Sequence, residues 1–376
     1  MIPLGRDWLV RTRQHLTELL RSMPRPRWDR ALSALSGHGP WPRILLAGAA
    51  LAMISWYLLW GPARVTSQQK VLFEVLPGQS SGVIARNLKE QGLIRSSLGF
   101  RLLVKMTGSA TRLKAGEYEL APKQTAHSIL GHLLSGRVKS YPFTIPEGYT
   151  ARQIRDLLAS RGYIDAERFD QLLREVPFTH DFLPAHNPPA AAKGFQPSRL
   201  EGFLFPATYS YVKGMSEERI IRMMLDSFAK LFTQEMRDRA AELNMSIHQV
   251  VTLASIIERE AMVDVERPII SSVFHNRLRL GWKLDSCATV NYILQKPNAL
   301  LTTVDTQIDS PYNTYRYAGL PPGPIGNPGL KSIMAALYPA QTDFHYFVAK
   351  NDGTGAHDFS RTFEEHLRKQ ALYQGR

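Results

Sequence analysis

From Ile44 to Trp60 the chain runs for seventeen residues without a charge (ILLAGAALAMISWYLLW), with Arg43 in front and Gly61, Pro62 and Arg64 behind. As a helix rising about 1.5 Å per residue, the run covers roughly 25 Å, the short end of what crosses a bilayer core. Trp41, Trp56, Tyr57 and Trp60 gather near its ends, where amphipathic rings favour the membrane interface. A buried core helix of this length rarely lacks every charge. A cleaved signal peptide would have a shorter basic leader and a small-x-small cleavage site, and neither is present. The sequence therefore predicts one transmembrane helix over residues 44–62.

The flanks orient that helix. Residues 1–43 carry eight arginines against three acids, while only Arg64 and Lys70 follow soon after the span. By the positive-inside rule the tail is cytoplasmic and everything beyond about residue 62 lies outside the cytoplasm, as in a single-pass protein of a bacterial inner membrane. The net charge of +13 invites an anionic partner, and this topology argues against nucleic acid and for the cell wall. Cys287 is the sole cysteine, so no intrachain disulfide can form. No metal-ligand cluster stands out in the sequence; no metal or cofactor is expected.

Between residues 66 and 165 one pattern occurs three times. Ser80, Thr125 and Thr150 each stand where a helix N-cap belongs, after Pro77-Gly78, Pro122-Lys123 and Pro146-Glu147-Gly148. Ile84, Ile129 and Ile154 follow four residues on, and Leu88, Leu133 and Leu158 eight on, which keeps each pair on one helical face. Gly92, Gly136 and Gly162 then close the units. A β-prone stretch leads into each: VLFEV, GEYEL and YPFTI. The arrangement resembles the LysM-like fold, a carbohydrate-binding module, though a plain spacer between membrane and enzyme fits the pattern equally.

Residues 166–200 read as a loop-rich connection, with Pro184, Pro188, Pro189 and Pro197 around an alanine run, and 216–243 as one long amphipathic scaffold helix. The stretch SIHQVVTLASIIEREA opens on a capping-box pair, Ser246 and Gln249, and continues as an apolar helix to Ala261. Glu258 and Glu260 close it. A carboxyl group there is partly desolvated, which suits a general acid that must keep its proton near neutrality; two solvated residues of a last turn would look the same, and spacing does not choose between them. A second helix over about Pro268–Leu280 carries Asn276 and Arg277, and Gly281 stops it. Tyr312, Asn313, Thr314 and Tyr315 then precede a Gly/Pro-dense loop; aromatic faces with amides and hydroxyls suit a sugar, and equally suit ordinary packing. A helix near 330–337, a hairpin over 344–360 bearing His357, and a helix from Thr362 complete the chain.

Seven segments in order, IPEGYT (145–150), LEGFLFPATY (200–209), LASIIEREA (253–261), ERPIISSVFHNRL (266–278), SPYNTY (310–315), GLPPGPIGNPG (319–329) and HYFVA…GAHDFS (345–360), resemble the YceG-like family of endolytic murein transglycosylases. The resemblance implies an α+β protein: basic tail 1–43, transmembrane helix 44–62, LysM-like module 66–165 and a mixed α+β catalytic domain 166–376. It implies cleavage of the MurNAc–GlcNAc β-1,4 bond inside nascent peptidoglycan strands to leave 1,6-anhydro-MurNAc ends. The catalytic group is then the second acid of the I-E-x-E motif, Glu260. Asn276, Arg277, Tyr312, Asn313, Thr314, Tyr315, Gly323, Pro324, Ile325 and His357 match cleft positions, with Glu258 and Asp285 as secondary candidates. One departure stands out. Where the family reads L-Q-S/T-D-P-T-V, this chain has Leu284-Asp285-Ser286-Cys287-Ala288-Thr289-Val290, so Cys287-Ala288 replaces Asp-Pro. The alternative is a non-catalytic, membrane-anchored scaffold that binds peptidoglycan among the wall synthases.

Overall fold

The computed structural model describes residues 41–67, 69–175, 178–296 and 300–374. The cytoplasmic tail expected over residues 1–43 therefore lies almost wholly outside the described residues. The apolar run forms helix α1 (Trp41–Trp60). None of its most apolar window, Arg43–Trp60, is buried within the protein, so the core-helix alternative fails and a helix able to cross a bilayer remains.

The chain forms two compact units that divide between residues 138 and 139. The first continues from α1 through β1 (Val71–Val75), α2 (Ser81–Glu90), α3 (Ser97–Met106), β2 (Gly116–Leu120) and α4 (Ala126–Ser135). β1 and β2 pair antiparallel, with Phe73 opposite Tyr118. The N-caps fall where the sequence puts them: the Ser80 and Thr125 hydroxyls accept the backbone N–H groups of Val83 and Ser128. Gly92 and Gly136 take the left-handed φ that ends each helix. Ile84, Leu88, Phe100, Ile129 and Leu133 bury against Phe73 and Tyr118 in a single small core. Helix α3, begun by the Ser96 cap, is an element the threefold repeat does not contain.

The second unit takes in the third repeat, a correction to the boundary expected at 165/166. β3 (Ser140–Thr144) pairs antiparallel with β4 (Thr208–Val212), placing Phe143 opposite Tyr209. Helices α5 (Ala151–Ser160) and α6 (Ala166–Glu175) bury Ile154, Leu158, Phe169 and Leu172 in that core. The expected loop at 166–200 thus begins as a helix, because Asp165 accepts the Arg168 N–H at its start and Phe169, Leu172 and Leu173 form one apolar face. The expected scaffold helix is two helices, α7 (Glu217–Leu231) and α8 (Gln234–Glu242), parted where the Thr233 hydroxyl caps the second.

The remaining elements are α9 (Ile247–Glu260), α10 (Arg267–Arg279), α11 (Cys287–Leu294), α12 (Leu330–Leu337), the hairpin β5 (Tyr346–Ala349) with β6 (His357–Ser360), and α13 (Phe363–Gln374). α9 is the axis of this unit. It packs against α10, α11 and α12, and its residues from Val250 to Ile257 are all buried. The protein is accordingly a mixed α+β fold.

Candidate active site

Helix α9 starts from the reciprocal capping box of Ser246 and Gln249 and ends where Ala261 turns to extended backbone. Glu258 and Glu260, two residues apart, project roughly 200° from one another around the axis, and the protein treats them differently. Glu258 receives the Arg267 guanidinium at 3.2 Å and the Gly329 N–H at 3.0 Å, with both charged side chains almost fully buried. It ties α9 to α10 and to the start of α12.

Glu260 is half-buried and faces the N-terminus of α11. The Ser286 hydroxyl donates to its Oε1 and the Ala288 backbone N–H donates to the same carboxyl. Ser286 is the residue before α11, yet its hydroxyl does not cap that helix; the carboxylate of Glu260 occupies the cap region instead. Burial pushes the Glu260 pKa above the ordinary glutamate value. The Ser286 and Ala288 hydrogen bonds, with the nearby His357 and Arg259, pull it back without overcoming burial. The result is a carboxyl group that holds its proton longer than a surface glutamate and has donors waiting for its anion.

The shell around this group is fixed from several sides. Thr314 Oγ1 accepts the Ser286 N–H at 3.0 Å and bonds Thr289 Oγ1 at 2.9 Å, so the loop carrying Ser286 cannot drift. His357 on β6 is held by Glu266, whose Oε2 lies 2.8 Å from Nδ1 and whose carboxylate also accepts the His357 backbone N–H. Cys287, solvent-exposed, has its Sγ 2.9 Å from the Tyr315 hydroxyl. Partial burial and then the Glu260 charge push the Cys287 thiol up, so it stays a thiol at neutral pH. Tyr315 is pushed up for the same first reason, burial.

The structure thus brings together Glu260, Tyr315 and His357 of the residues expected from sequence. Ile325 lines a neighbouring cavity, and the others are engaged within the protein. Tyr312 and Asn313 are fully buried; Asn313 donates to the Thr306 and Ile308 carbonyls and shapes its own loop. Thr314 is buried beneath Ser286. Asn276 donates to the carbonyls of Thr342 and Phe344. Arg277 donates to those of His345, Lys283 and Leu284 and pairs with Asp285 at 2.9 Å. These polar groups satisfy buried backbone, the ordinary fate of a buried amide or guanidinium, and fasten the loops around the site. Asp285, at a left-handed φ of 51°, is engaged by Arg277. Gly323, Pro324 and Ile325 are buried, and the Ile325 N–H donates to Ser255 Oγ on α9 at 3.0 Å.

Two residues that matter escaped the sequence reading. One is Ser286, 26 positions from Glu260 and outside any periodic pattern. The other is Glu201, within the LEGFLFPATY segment. Its buried carboxyl accepts the Ala151 N–H at 2.9 Å, the Tyr292 hydroxyl at 3.2 Å and Asn327 Nδ2 at 3.2 Å. Asn327 in turn accepts the Leu204 N–H and donates to the Tyr149 carbonyl, both at 2.8 Å. One buried polar knot therefore joins the segments 145–150, 200–209 and 319–329. Burial lifts Glu201 to about 7.

Beside Ala288 lies a cavity of about 270 Å³, lined by Gly148, Thr150, Arg152, Arg259, Asn291, Tyr292 and Ile325 among others. Glu260 is one hydrogen bond away from this wall, through Ala288. A half-buried acid with preset donors at the edge of a polar cavity can give a proton to a leaving oxygen and then take one from a nucleophilic hydroxyl.

Residues 73–371 match the YceG-like family. A Bacillus subtilis protein named endolytic murein transglycosylase is 35% identical over 329 residues, 83% of this chain and 87% of its own length. A Streptococcus pneumoniae protein of the same name is 29% identical over 317 residues, 77% of this chain and 56% of its own length. The crystal structure of a YceG-like protein from Listeria monocytogenes superposes with a TM-score of 0.53 at 35% identity, covering 80% of this chain and 99% of that one. With its family match extending over most of its length, the chain belongs to the YceG-like family.

Proposed function

We propose that this chain is an endolytic lytic transglycosylase, cutting the MurNAc–GlcNAc β-1,4 bond of nascent peptidoglycan strands and leaving 1,6-anhydro-MurNAc ends. The observation that carries the reading is the carboxyl of Glu260, half-buried at the end of α9 with the Ser286 hydroxyl and the Ala288 N–H aimed at it. Protonated Glu260 donates to the glycosidic oxygen as the bond to C1 breaks. The resulting carboxylate, stabilised by those two donors and by the N-terminal end of α11, then accepts the proton of the muramyl 6-hydroxyl, which closes on C1 in place of water. One carboxyl suffices because the nucleophile is already tethered to the sugar. No external water molecule is consumed.

The apolar, unburied α1 supports anchoring in the inner membrane, and the arginine-rich leader supports a cytoplasmic N-terminus with the enzyme outside. The β–α–α–β order of the first unit, with its strands paired antiparallel, supports a LysM-like module that holds glycan near the membrane. The scaffold alternative draws on one observation, Cys287 in place of the family's aspartate beside Glu260.

Digestion of defined glycan strands with purified protein tests the reading. Wild type should release anhydro-ended fragments, and Glu260→Gln should slow release by about 10²- to 10⁴-fold, the usual worth of a positioned general acid and base, while remaining folded. Fragments heavier by one water would identify a hydrolase. Strand binding without cleavage by wild type would favour the scaffold.

A further inference from the structure

The cavity beside Ala288 is more cationic than a neutral sugar requires. Arg152 and Arg259 both line it, and Arg152 has no ion-pair partner among the described residues. The cavity's one carboxylate, Asp156, is bonded by Arg155 at 2.6 Å, a guanidinium it shares with Asp170. Gln153, Asn291 and Gln295 add amide groups to the wall. In a peptidoglycan strand the N-acetylated sugars carry no charge, and the acyl group of muramic acid is tied up in an amide. The carboxylates sit on the stem peptides. Resting on the transglycosylase reading, we infer that this cavity is a subsite for the acidic stem peptide of the muramyl residue being cut, with Arg152 receiving its carboxylate.

Position supports this. The stem leaves the muramyl ring through the lactyl group, within one ring's width of the carbon where the bond breaks. A ring placed with its glycosidic oxygen at Glu260 lies next to Ala288, whose N–H reaches Glu260 and whose other side is cavity wall. The cavity, at about 270 Å³, is just below the usual range for sites that enclose a drug-sized ligand, room for the first residues of a peptide. The Tyr292 ring and Ile325 give the stem's methyl and methylene groups an apolar surface, and the Arg152 guanidinium gives a carboxylate planar donors.

The test compares strands with free stem carboxylates and the same strands with those carboxylates amidated. Wild type should show a KM about tenfold lower for the free-acid strands, the worth of one charge-assisted hydrogen bond. Arg152→Glu, an exposed position that leaves the core untouched, should collapse that preference to near unity or invert it. Equal KM values for both substrates in wild type, or an undiminished preference in Arg152→Glu, would overturn the assignment. A direct measurement is independent of cleavage: calorimetric titration of a soluble L-alanyl-D-isoglutamyl stem tripeptide into Glu260→Gln protein. Saturable binding that weakens about tenfold with the amidated tripeptide supports the subsite, and no binding rejects it. If wild type cuts neither strand, the transglycosylase reading fails first, and the titration still decides whether the cavity takes the stem.

Discussion

Ser286→Ala isolates the device that tunes Glu260. The change removes a hydroxyl donor from a half-buried carboxyl and leaves the Ala288 N–H in place. A hydrogen bond to a charged group contributes about 1.5–3 kcal/mol, and 1.36 kcal/mol is one pKa unit, so the Glu260 pKa should rise by roughly 1–2 units beyond its already raised value. The sign follows from the cause: Ser286 pulls this pKa down, and losing it pushes the pKa up. The acid step needs the protonated form, so the fall of kcat/KM on the alkaline side, which reports the free enzyme's acid, should move to higher pH by the same 1–2 units. The rate at the optimum should meanwhile drop, because the carboxylate that must accept the 6-hydroxyl proton has lost a stabilising donor. Stability carries the same signature. With a folded pKa above the unfolded one, the contribution of Glu260 to stability is fully present below the ordinary glutamate pKa and is lost as pH rises through the folded value. Ser286→Ala should therefore destabilise the protein more at alkaline than at acidic pH. Ser286→Thr, which keeps the hydroxyl, should restore the profile. A pH–rate profile of purified Ser286→Ala that superimposes on wild type after scaling would refute the coupling, whatever happens to the absolute rate.

Glu258→Gln should behave as a stability variant: breaking a buried ion pair costs about 3 kcal/mol, which lowers Tm by roughly 6–12 °C for a unit of this size, and a melting curve matching wild type would contradict the anchoring role. Cys287→Asp places a like charge near Glu260 and should raise its pKa further, seen as an alkaline shift of the pH–rate profile; a shift to lower pH would contradict that placement. As the sole cysteine, Cys287 should take one alkyl group, at a rate that climbs only above the usual thiol pKa because the thiol is pushed up; the adduct, crowding Tyr315 and Glu260, should lower strand cleavage in step with its mass-spectrometric yield.

How much of this was legible in the sequence depended on whether the signal was local. The N-caps at Ser80, Thr125, Thr150 and Ser246 could be read because a capping hydroxyl bonds a backbone group only three residues on. The break at Phe232-Thr233 was missed because apolar residues run on across it and only the Thr233 cap marks the restart. The placement of the third repeat was missed for another reason. Its strand looks like the other two, and what assigns it to the second unit is pairing with residues 208–212, nearly seventy positions away. The site divides in the same way. Position on an apolar helix end flagged both Glu258 and Glu260. What separates them, Arg267 and Gly329 on one side and Ser286 and Ala288 on the other, is tertiary. Tyr312, Asn313 and Thr314 share the composition of a sugar-binding surface, but composition does not tell a side chain that meets a ligand from one that braces the loop beneath it.

That last distinction changes what the family's polar motifs are for. Thr314 fixes the Ser286 loop, Arg277 pins Leu284 and Asp285 on the approach to it, and the Glu201–Asn327 knot locks residues 145–150 against 319–329, flooring the cavity beside Glu260. A group that serves as acid and then as base gains nothing from an environment that strongly favours either state. Burial alone would leave Glu260 an acid unable to release its proton; the Ser286 and Ala288 donors alone would leave it an anion with none to give. The two influences act on the same carboxyl through different elements, burial through α9 and the donors through the start of α11, so their balance depends on the spacing between those elements. Buried hydrogen bonds hold such a spacing far more tightly than a solvated surface contact would. On this argument the many buried polar residues near the site belong to catalysis by position, and substitutions among them should alter the pH dependence of cleavage before they abolish it.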